Sequence, residues 1–480
     1  VAVDQQHGLY GGWRRATGGG IGSLGPGPSA AVVGALLTPP LAVTVLGPTS
    51  LLVTLPVALL LLALVVWRRH GMPVLSYLAA RARWQLGAWR GETDYRATYL
   101  PALQALDLPG VAAPTRLLAV EGVAGGRQSV GLVWNQRTGT MSGTLLLSPA
   151  GMLLAPSADV TSSVSSWAST LARLAEEDMI QAASVTVQVT PASGRPVAAH
   201  VAGRLDKGAP TAARQAVTEL VRQSPRASAQ LLAWMTLVVD PARAADRPDG
   251  PELAAAETLR AIDAVDLTGT GADVLRQATP DDIKRLVLGG YRPAEADAPA
   301  SQIAELMWHE VGPAAATDGW TTYQHDGSIS ASWVLREAPR RPVPYSALLR
   351  LLAPGRYARR VTLAYRVLPT EEAASVVERQ VNATEVLAEY RRRTQRAATH
   401  RERVDAEHAA RTAREEAVGA GMVQWSIYVT TTVTDPADLP AARKEVTKAA
   451  GAAVLRLRPA YGGQSAALAL GLPLGINPLL

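Results

Sequence analysis

The sequence predicts an α-helical transmembrane hairpin of two spans, followed by a cytoplasmic α+β region of two subdomains. Three observations predict it. Residues 16–67 contain no Asp, Glu, Lys, Arg or His, and they hold two apolar runs, 29–46 and 49–67, separated by Gly47-Pro48. Each run approaches the ~20 residues that an α-helix needs to cross a bilayer. Arginines flank the pair on both outer sides, Arg14 and Arg15 before it, Arg68, Arg69, Arg81 and Arg83 after it, and the turn carries none. Beyond residue 93, short apolar–polar alternations interleave with stretches of helical periodicity, the pattern of a mixed body.

In chain order, residues 1–28 are Gly-rich and short of core-forming side chains, which reads as a flexible tail. The hairpin occupies 29–67. Pro39-Pro40 would kink a soluble helix badly, but a membrane helix tolerates such a break when a neighbour or water satisfies the freed carbonyls. Positive charge outside both spans, and none between them, places both termini in the cytoplasm and makes the chain a multi-pass protein of the inner (cytoplasmic) membrane. A buried soluble hairpin and a cleaved leader are the competing readings; the second span following directly argues against the leader.

Residues 68–92 read as a basic amphipathic juxtamembrane helix. Trp67, Trp84 and Trp89 are expected as interfacial aromatics, and Arg14, Arg15, Arg68, Arg69, Arg81 and Arg83 as the membrane-orienting charges. Two placements for this helix are equally compatible with its pattern: the headgroup surface, or packing on the soluble body. Residues 93–290 form the first α+β subdomain, with strands near 117–121, 128–134, 140–147, 183–190, 234–239 and 272–276. Its helices fall near 158–177, 210–223, 253–265 and 280–288. The Pro- and Ala-rich stretch 292–300 lies in an expected linker, 291–318. The second subdomain, 319–480, has Asp326-Gly327 as a two-residue hairpin signal between strands 320–325 and 328–336. A strand at 361–367 precedes residues 371–420, whose balanced acids and bases describe a long solvated helix. Strand 423–434, helix 438–450, strand 453–458 and an apolar ending follow.

Composition and motifs exclude several function classes. There is no Cys, hence no disulfide framework, thiolate nucleophile or thiolate metal site. Only Lys207, Lys284, Lys444 and Lys448 among the 47 basic residues are lysines, and none follows a Gly, so a Walker-type phosphate loop is absent. The Arg excess fits the codon bias of a GC-rich genome, and no basic stripe stands apart from the hairpin flank. Gly20, Gly22 and Gly25 spell G-x-G-x-x-G, but no strand precedes them. His309-Glu310 lacks the second His of a zinc-protease motif. His400 and His408, two turns apart, need a third ligand to hold a metal. Asp281-Asp282 opens a helix, where acids complement the dipole, and Asn382-Ala383-Thr384 is a glycosylation sequon on the predicted cytoplasmic side. No catalytic, cofactor or metal site is expected, and the chain reads as no enzyme.

Several segments carry a resemblance to a family: YGGWRR (10–15), the hairpin, GLVWNQRTGTMSGTLLL (131–147), SASWVLREAPRRPV (330–343), RVTLAYRVLP (360–369), AREEAVGAGMVQWSIYVTTTVTDPADLPAA (413–442), and the LRLRPAYGGQSAALALGLPLG ending. Together they resemble the actinobacterial integral membrane proteins of conjugation and type IV secretion-like modules. In these, a PrgI-like two-span region is fused to a region similar to the N-terminal domain of conjugative transfer ATPases. Leu472-Pro473 matches the segment that precedes the motor in those ATPases. The resemblance implies a non-enzymatic scaffold or coupling subunit. Its expected partners are the lipid bilayer, a separate ATPase and a polytopic channel protein of the same apparatus. Homo-oligomerisation and direct nucleic-acid contact stay open. A membrane component of a type VII (Esx-type) secretion apparatus and a membrane-tethered enzyme are the alternative readings.

Overall fold

A computed structural model describes residues 2–4, 9–11, 26–97, 107–121, 129–149, 151, 155–191, 201, 203–206, 208–223, 229–339, 343–369, 372–373, 375 and 422–480. Arg14, Arg15, the G-x-G-x-x-G glycines, the sequon, His400, His408 and nearly all of the predicted helix 371–420 lie outside them.

Two apolar helices stand near the N-terminus. Helix α1 is Pro26–Leu46 and α2 is Leu51–Val66, joined through Gly47 (φ 83°) and a 3-10 turn, Pro48–Ser50. Twenty-one residues in α1 make a rod of about 31 Å, and the 3-10 turn plus α2 about 30 Å, each matching a hydrocarbon core. Both are long and apolar enough to cross a membrane. Helix α1 continues through Pro39-Pro40. Pro39 has no N–H to give to the Ala35 carbonyl, and the Thr38 hydroxyl approaches that oxygen at 3.5 Å. Ala35, Pro39, Ala58 and Val65 are buried, whereas most leucines and valines of the pair are exposed. Small side chains inside and large apolar ones outside is the pattern of helices packed in lipid.

The N-terminal residues are more structured than a flexible tail. Strands β1 (Ala2–Asp4) and β2 (Leu9–Gly11) pair, and β2 also pairs β15 (Val343–Pro344), Tyr10 opposite Val343. Backbone pairing with a distant strand compensates there for the shortage of apolar side chains. After α2, the two-residue strands β3 (Arg68–Arg69) and β4 (Met72–Pro73) form a tight hairpin leading into α3 (Val74–Trp89).

The body is built on one antiparallel sheet. Its strands are β5 (Asp94–Arg96), β6 (Thr115–Glu121), β7 (Ser129–Asn135), β8 (Met141–Pro149), β9 (Ile180–Pro191), β10 (Ala229–Val239), β11 (Ala272–Gln277), β12 (Ala315–Asp318), β13 (Tyr323–His325), β14 (Ser328–Glu337), β16 (Ala358–Val367), β17 (Val423–Val433) and β18 (Arg456–Pro459). The helices are α4 (Ser157–Glu176), α5 (Thr211–Gln223), α6 (Pro251–Asp263), α7 (Pro280–Tyr291), α8 (Ala300–Glu305), α9 (Leu349–Leu352), α10 (Leu439–Ala452) and α11 (Gln464–Leu470). The strand order is β5-β12-β13-β14-β17-β16-β9-β10-β8-β7-β6, with β11 on β8 and β18 on β14.

That order contains a repeat. Apart from α5, inserted between β9 and β10, and β15, inserted after β14, the series β8-α4-β9-β10-α6-β11 and β14-α9-β16-β17-α10-β18 both place their four strands fourth-first-third-second across the sheet. This is the split βαβ, ferredoxin-like arrangement. Each unit is entered through a meander, β6-β7 or β12-β13, and followed by one more helix, α7 or α11. The third strand of each ends in Asp-Pro-Ala. Asp240 Oδ1 accepts from Ala242 N at 3.1 Å, and Asp435 Oδ1 from Ala437 N at 2.8 Å. The units meet where β9 pairs β16 with Thr186 opposite Thr362, flanked by Gln188–Arg360 and Ser184–Ala364. Corresponding positions face each other, so a pseudo-two-fold axis passes between the two threonines.

The expectation of two subdomains parted by a linker at 291–318 is therefore corrected. Two related units exist, but they share one sheet, and 291–318 holds 3-10 turns, α8 and the sheet strand β12. Pro and Ala in that stretch serve short turns and a helix start, a use that composition cannot separate from a linker.

Side-chain alternation gives the sheet two covered faces. On one, α4 and α6 bring Leu174, Ala255, Leu259 and Ile262 onto Leu145, Met235 and Leu237. In the second unit Leu351 of α9 and Leu439, Ala442 and Val446 of α10 cover Ile329, Val361 and Val429. Leu363 and Trp425 touch both clusters, so all four helices lie on the same side. The other face is covered by α7 and α11, with Ile283, Val287, Leu468 and Leu472 packed on Val133 and Tyr323. Asp282 caps α7 reciprocally with Thr279, its carboxylate accepting from Thr279 N at 2.8 Å. Burial would raise that carboxyl; the hydrogen bonds from Arg276 and Thr279 outweigh it and hold it below the usual range. Asp281-Asp282 thus opens a helix as read from the sequence.

The α7/α11 face is lined by hydroxyls that pair across strands: Thr144–Thr236 at 3.1 Å, Thr186–Thr362 at 2.9 Å, Ser332–Thr430 and Ser330–Thr432 at 2.8 Å. Buried His325 joins this row. The Tyr291 carbonyl, 2.5 Å from Nδ1, can only accept, so Nδ1 carries the proton and Nε2 accepts from Ser330 Oγ at 2.7 Å. Burial pushes the imidazole down to about 4 from 6.5. The unfolded chain then binds the extra proton first, and stability is lost as pH falls from 6.5 towards 4. At 1.36 kcal/mol per unit, this one group removes about 2–3 kcal/mol between pH 7 and 4.5. Denaturant melts of the wild type and His325→Gln at both pH values check this. The variant is less stable at pH 7 and loses less on acidification; equal losses would rule the imidazole out as the cause.

Candidate functional site: the aromatic junction between α3 and the sheet

Helix α3 is bound to structure at both ends. At its start, Val74 N donates to Trp67 O at 2.9 Å, and the β3–β4 hairpin ties Arg68 to Pro73 and Arg69 to Met72. The turn needs His70 at φ 52° and Gly71 at φ 83°. A Cβ on Gly71 would also come within 2.2 Å of the Arg336 side chain, so no other residue fits. At its end, the chain turns at Gly91 and becomes β5, the edge strand paired to β12 with Tyr95 opposite Ala316. Thr93 O accepts from Asp318 N at 2.8 Å, and Thr317 donates to Asp94 at 2.7 Å.

Between these ends, Tyr77, Arg81 and Trp84 are spaced i, i+4, i+7 and form one face of α3. Opposite them stand Trp320, in the β12–β13 turn, and Tyr461, just after β18. Trp320 and Tyr461 stack at 5.3 Å with 27° between planes. Tyr77 meets both edge-on, at 5.6 Å from Trp320 and 5.4 Å from Tyr461, and Trp84 meets Trp320 at 5.8 Å. His70 adds a ring 5.5 Å from Tyr461. The Arg81 guanidinium contacts two indoles, 4.7 Å from Trp84 and 4.8 Å from Trp320, and Arg69 lies over Tyr77 at 5.8 Å. Trp84 Nε1 donates to Asp318 O at 3.1 Å, which satisfies the indole.

The sheet side of the cradle is itself braced. Arg443 of α10 donates to Thr321 O at 2.9 Å, and Gly462 N donates to Trp320 O at 3.0 Å. Gly462 has φ 64°, and a Cβ there would meet the Trp320 ring at 2.8 Å. The Asp318 carboxylate accepts from Ser465 N at 3.3 Å and from Ser465 Oγ. Burial raises that carboxyl above its ordinary value, and the Ser465 hydrogen bonds offset part of the rise. Burial likewise raises the Tyr461 phenol.

The predicted site residues separate into two groups here. Trp84 and Arg81 face the body and complete the cradle. Trp67 (72% exposed), Trp89 (84% exposed), Arg68, Arg69 and Arg83 stay on the surface. The evenly balanced choice for this helix resolves with one face packed on the body and another left open. Tyr77, His70, Trp320 and Tyr461 were not singled out from the sequence. The local signals are aromatic residues beside turn glycines, Gly319-Trp320 and Tyr461-Gly462-Gly463, and neither reveals a partner more than 230 residues upstream. Among the described residues, no group of three His, Asp or Glu is placed to hold a metal. Comparison of the chain with protein-family models and with curated proteins finds no match in either.

Chemically, the arrangement is a mechanical clamp. Each aromatic pair contributes about 0.5–1.5 kcal/mol beyond its burial, and each cation–π contact about 0.5–2 kcal/mol. Trp320→Ala removes three ring contacts and one of the two Arg81 cation–π contacts. It is expected to weaken the α3–sheet contact by about 2–4 kcal/mol, which is about thirtyfold or more in local opening. Hydrogen exchange checks this: α3 amides speed up while β16 and β17 keep their protection. Unchanged α3 exchange would mean that the clamp does not hold the helix.

Proposed function

We propose that this chain is a non-enzymatic membrane scaffold of a conjugative DNA-transfer or type IV secretion-like apparatus. Helices α1 and α2 span the cytoplasmic membrane as a hairpin, both termini lie in the cytoplasm, and the duplicated sheet projects there to dock a separate ATPase beside a polytopic channel protein. One observation carries the coupling role: α2, α3 and the sheet edge β5 run on without a free linker, and the aromatic clamp fastens α3 to the β12–β13 turn. A force applied to the body is then passed to the hairpin and not lost in a flexible joint. The direction follows from Arg68, Arg69 and Arg83, which sit exposed just past α2. The resemblance of the segments quoted above to conjugation-module membrane proteins supports the identity of the apparatus.

Docking is tested by mild-detergent purification of the tagged full-length protein with mass spectrometry of what accompanies it. A conjugation-type ATPase and a polytopic membrane protein are expected. Recovery of type VII motor subunits would transfer the chain to that apparatus, and a lone stable protein would remove the scaffold reading.

A further inference from the structure

Helix α3 has a second face that the body does not use. Leu78, Ala82, Leu86 and Trp89 follow at i, i+4, i+8 and i+11, which brings them into one stripe rotated about 130° from the Tyr77–Arg81–Trp84 face. Leu78 is 47% exposed, Leu86 54% and Trp89 84%. Arg83 and Arg90 border the stripe, both exposed, and no acidic residue occurs between Asp4 and Glu92.

We propose that this stripe is seated in the headgroup layer of an anionic bilayer, so that α3 lies between the membrane surface and the sheet. The proposal rests on reading α1 and α2 as a membrane hairpin. Three features select this occupant. The stripe is continuous with a lipid-like surface, because the six-residue β3–β4 hairpin keeps α3 close to the end of α2. The charges along its helical border are Arg83 and Arg90, matched to phosphate headgroups at a leaflet boundary, with Glu92 beyond the helix 3.8 Å from Arg90. Trp67 and Trp89 place exposed indoles at the two ends of the segment, where amphipathic rings sit at a membrane interface. A second copy of the chain fits worse, since pairing two α3 stripes would bring Arg83 of both copies together, and Glu92, just past the helix, is already paired with Arg90 at 3.8 Å. Arg81, in contact with Trp84 and Trp320, is assigned to the body; Arg83 and Arg90 are assigned to the lipid.

The absence of Cys makes the test direct. Single-cysteine variants Leu86→Cys, Leu59→Cys in α2 and Asp246→Cys on the body are labelled with a nitroxide in the full-length chain. They are reconstituted into phosphatidylcholine vesicles with and without phosphatidylglycerol. Collision rates with oxygen and with a polar nickel complex then report depth. The expected result is an oxygen preference at Leu86 several-fold above that at Asp246 and below that at Leu59. It diminishes when phosphatidylglycerol is omitted or when Arg83→Gln and Arg90→Gln are combined. A Leu59 label in lipid with a Leu86 label as wet as Asp246 overturns the seated face and leaves the hairpin standing. A Leu59 label in water overturns both. Spin–spin broadening at Leu86 without an oxygen preference makes the face a contact between copies. An oxygen preference indifferent to phosphatidylglycerol and to both arginines overturns the anionic headgroup assignment.

Discussion

The pairing of β9 with β16 is the contact on which the rest of the body depends. Each ferredoxin-like unit alone would leave its second strand as an open edge, with a row of unpaired amides and carbonyls. Joined antiparallel, the two edges satisfy each other over eight residue pairs, from Arg359–Val189 to Arg366–Ala182. At the axis the same position meets itself, Thr186 against Thr362; on either side the partners differ, Gln188 with Arg360 and Ser184 with Ala364. Gln188 receives Arg360, whose Nε and Nη2 lie 3.1 and 2.8 Å from the Gln188 carbonyl oxygen. The cost of burying that guanidinium shows in its pKa, lowered to about 10 by burial.

Duplication also explains the asymmetric placement of the junction. The two units have equivalent outer meanders, β6-β7 and β12-β13, but β5 extends the sheet only beyond β12. Trp320 and Tyr461 occur in the second unit, in the turn and the strand exit nearest that edge. Helix α3 and β5 thus join the sheet at one end. On the hydroxyl-lined face, paired Thr and Ser side chains hold neighbouring strands in register, and α7 and α11 cover them.

Much of the element content was legible. Strands with strict alternation, such as β9 and β16, and helices with a clear apolar stripe, such as α4 and α6, lie within a few residues of their expected bounds. Period-2 and period-3.6 patterns are local properties of the chain. The first helix begins three residues before the expected Ser29, because Pro26 and Pro28 are tolerated in a first helical turn. The repeat was not legible. Its halves share topology and the Asp-Pro-Ala turn but have connections of different length, so no constant period runs along the chain. The linker was misread because Pro and Ala serve equally in turns and in helix starts.

The sequence by itself determined the charge-free double helix, its arginine flanks, the amphipathic character of α3 and the alternation of most strands. Those follow from which residues stand three, four or two positions apart. Tertiary structure alone decided that the two units share a sheet, that Arg81 contacts two indoles and is not among the surface arginines, and that one face of α3 packs on the body while another stays exposed. Each of these depends on residues hundreds of positions apart, Trp84 with Trp320 and Thr186 with Thr362. No local spacing encodes such pairs; only the folded sheet brings them within contact distance.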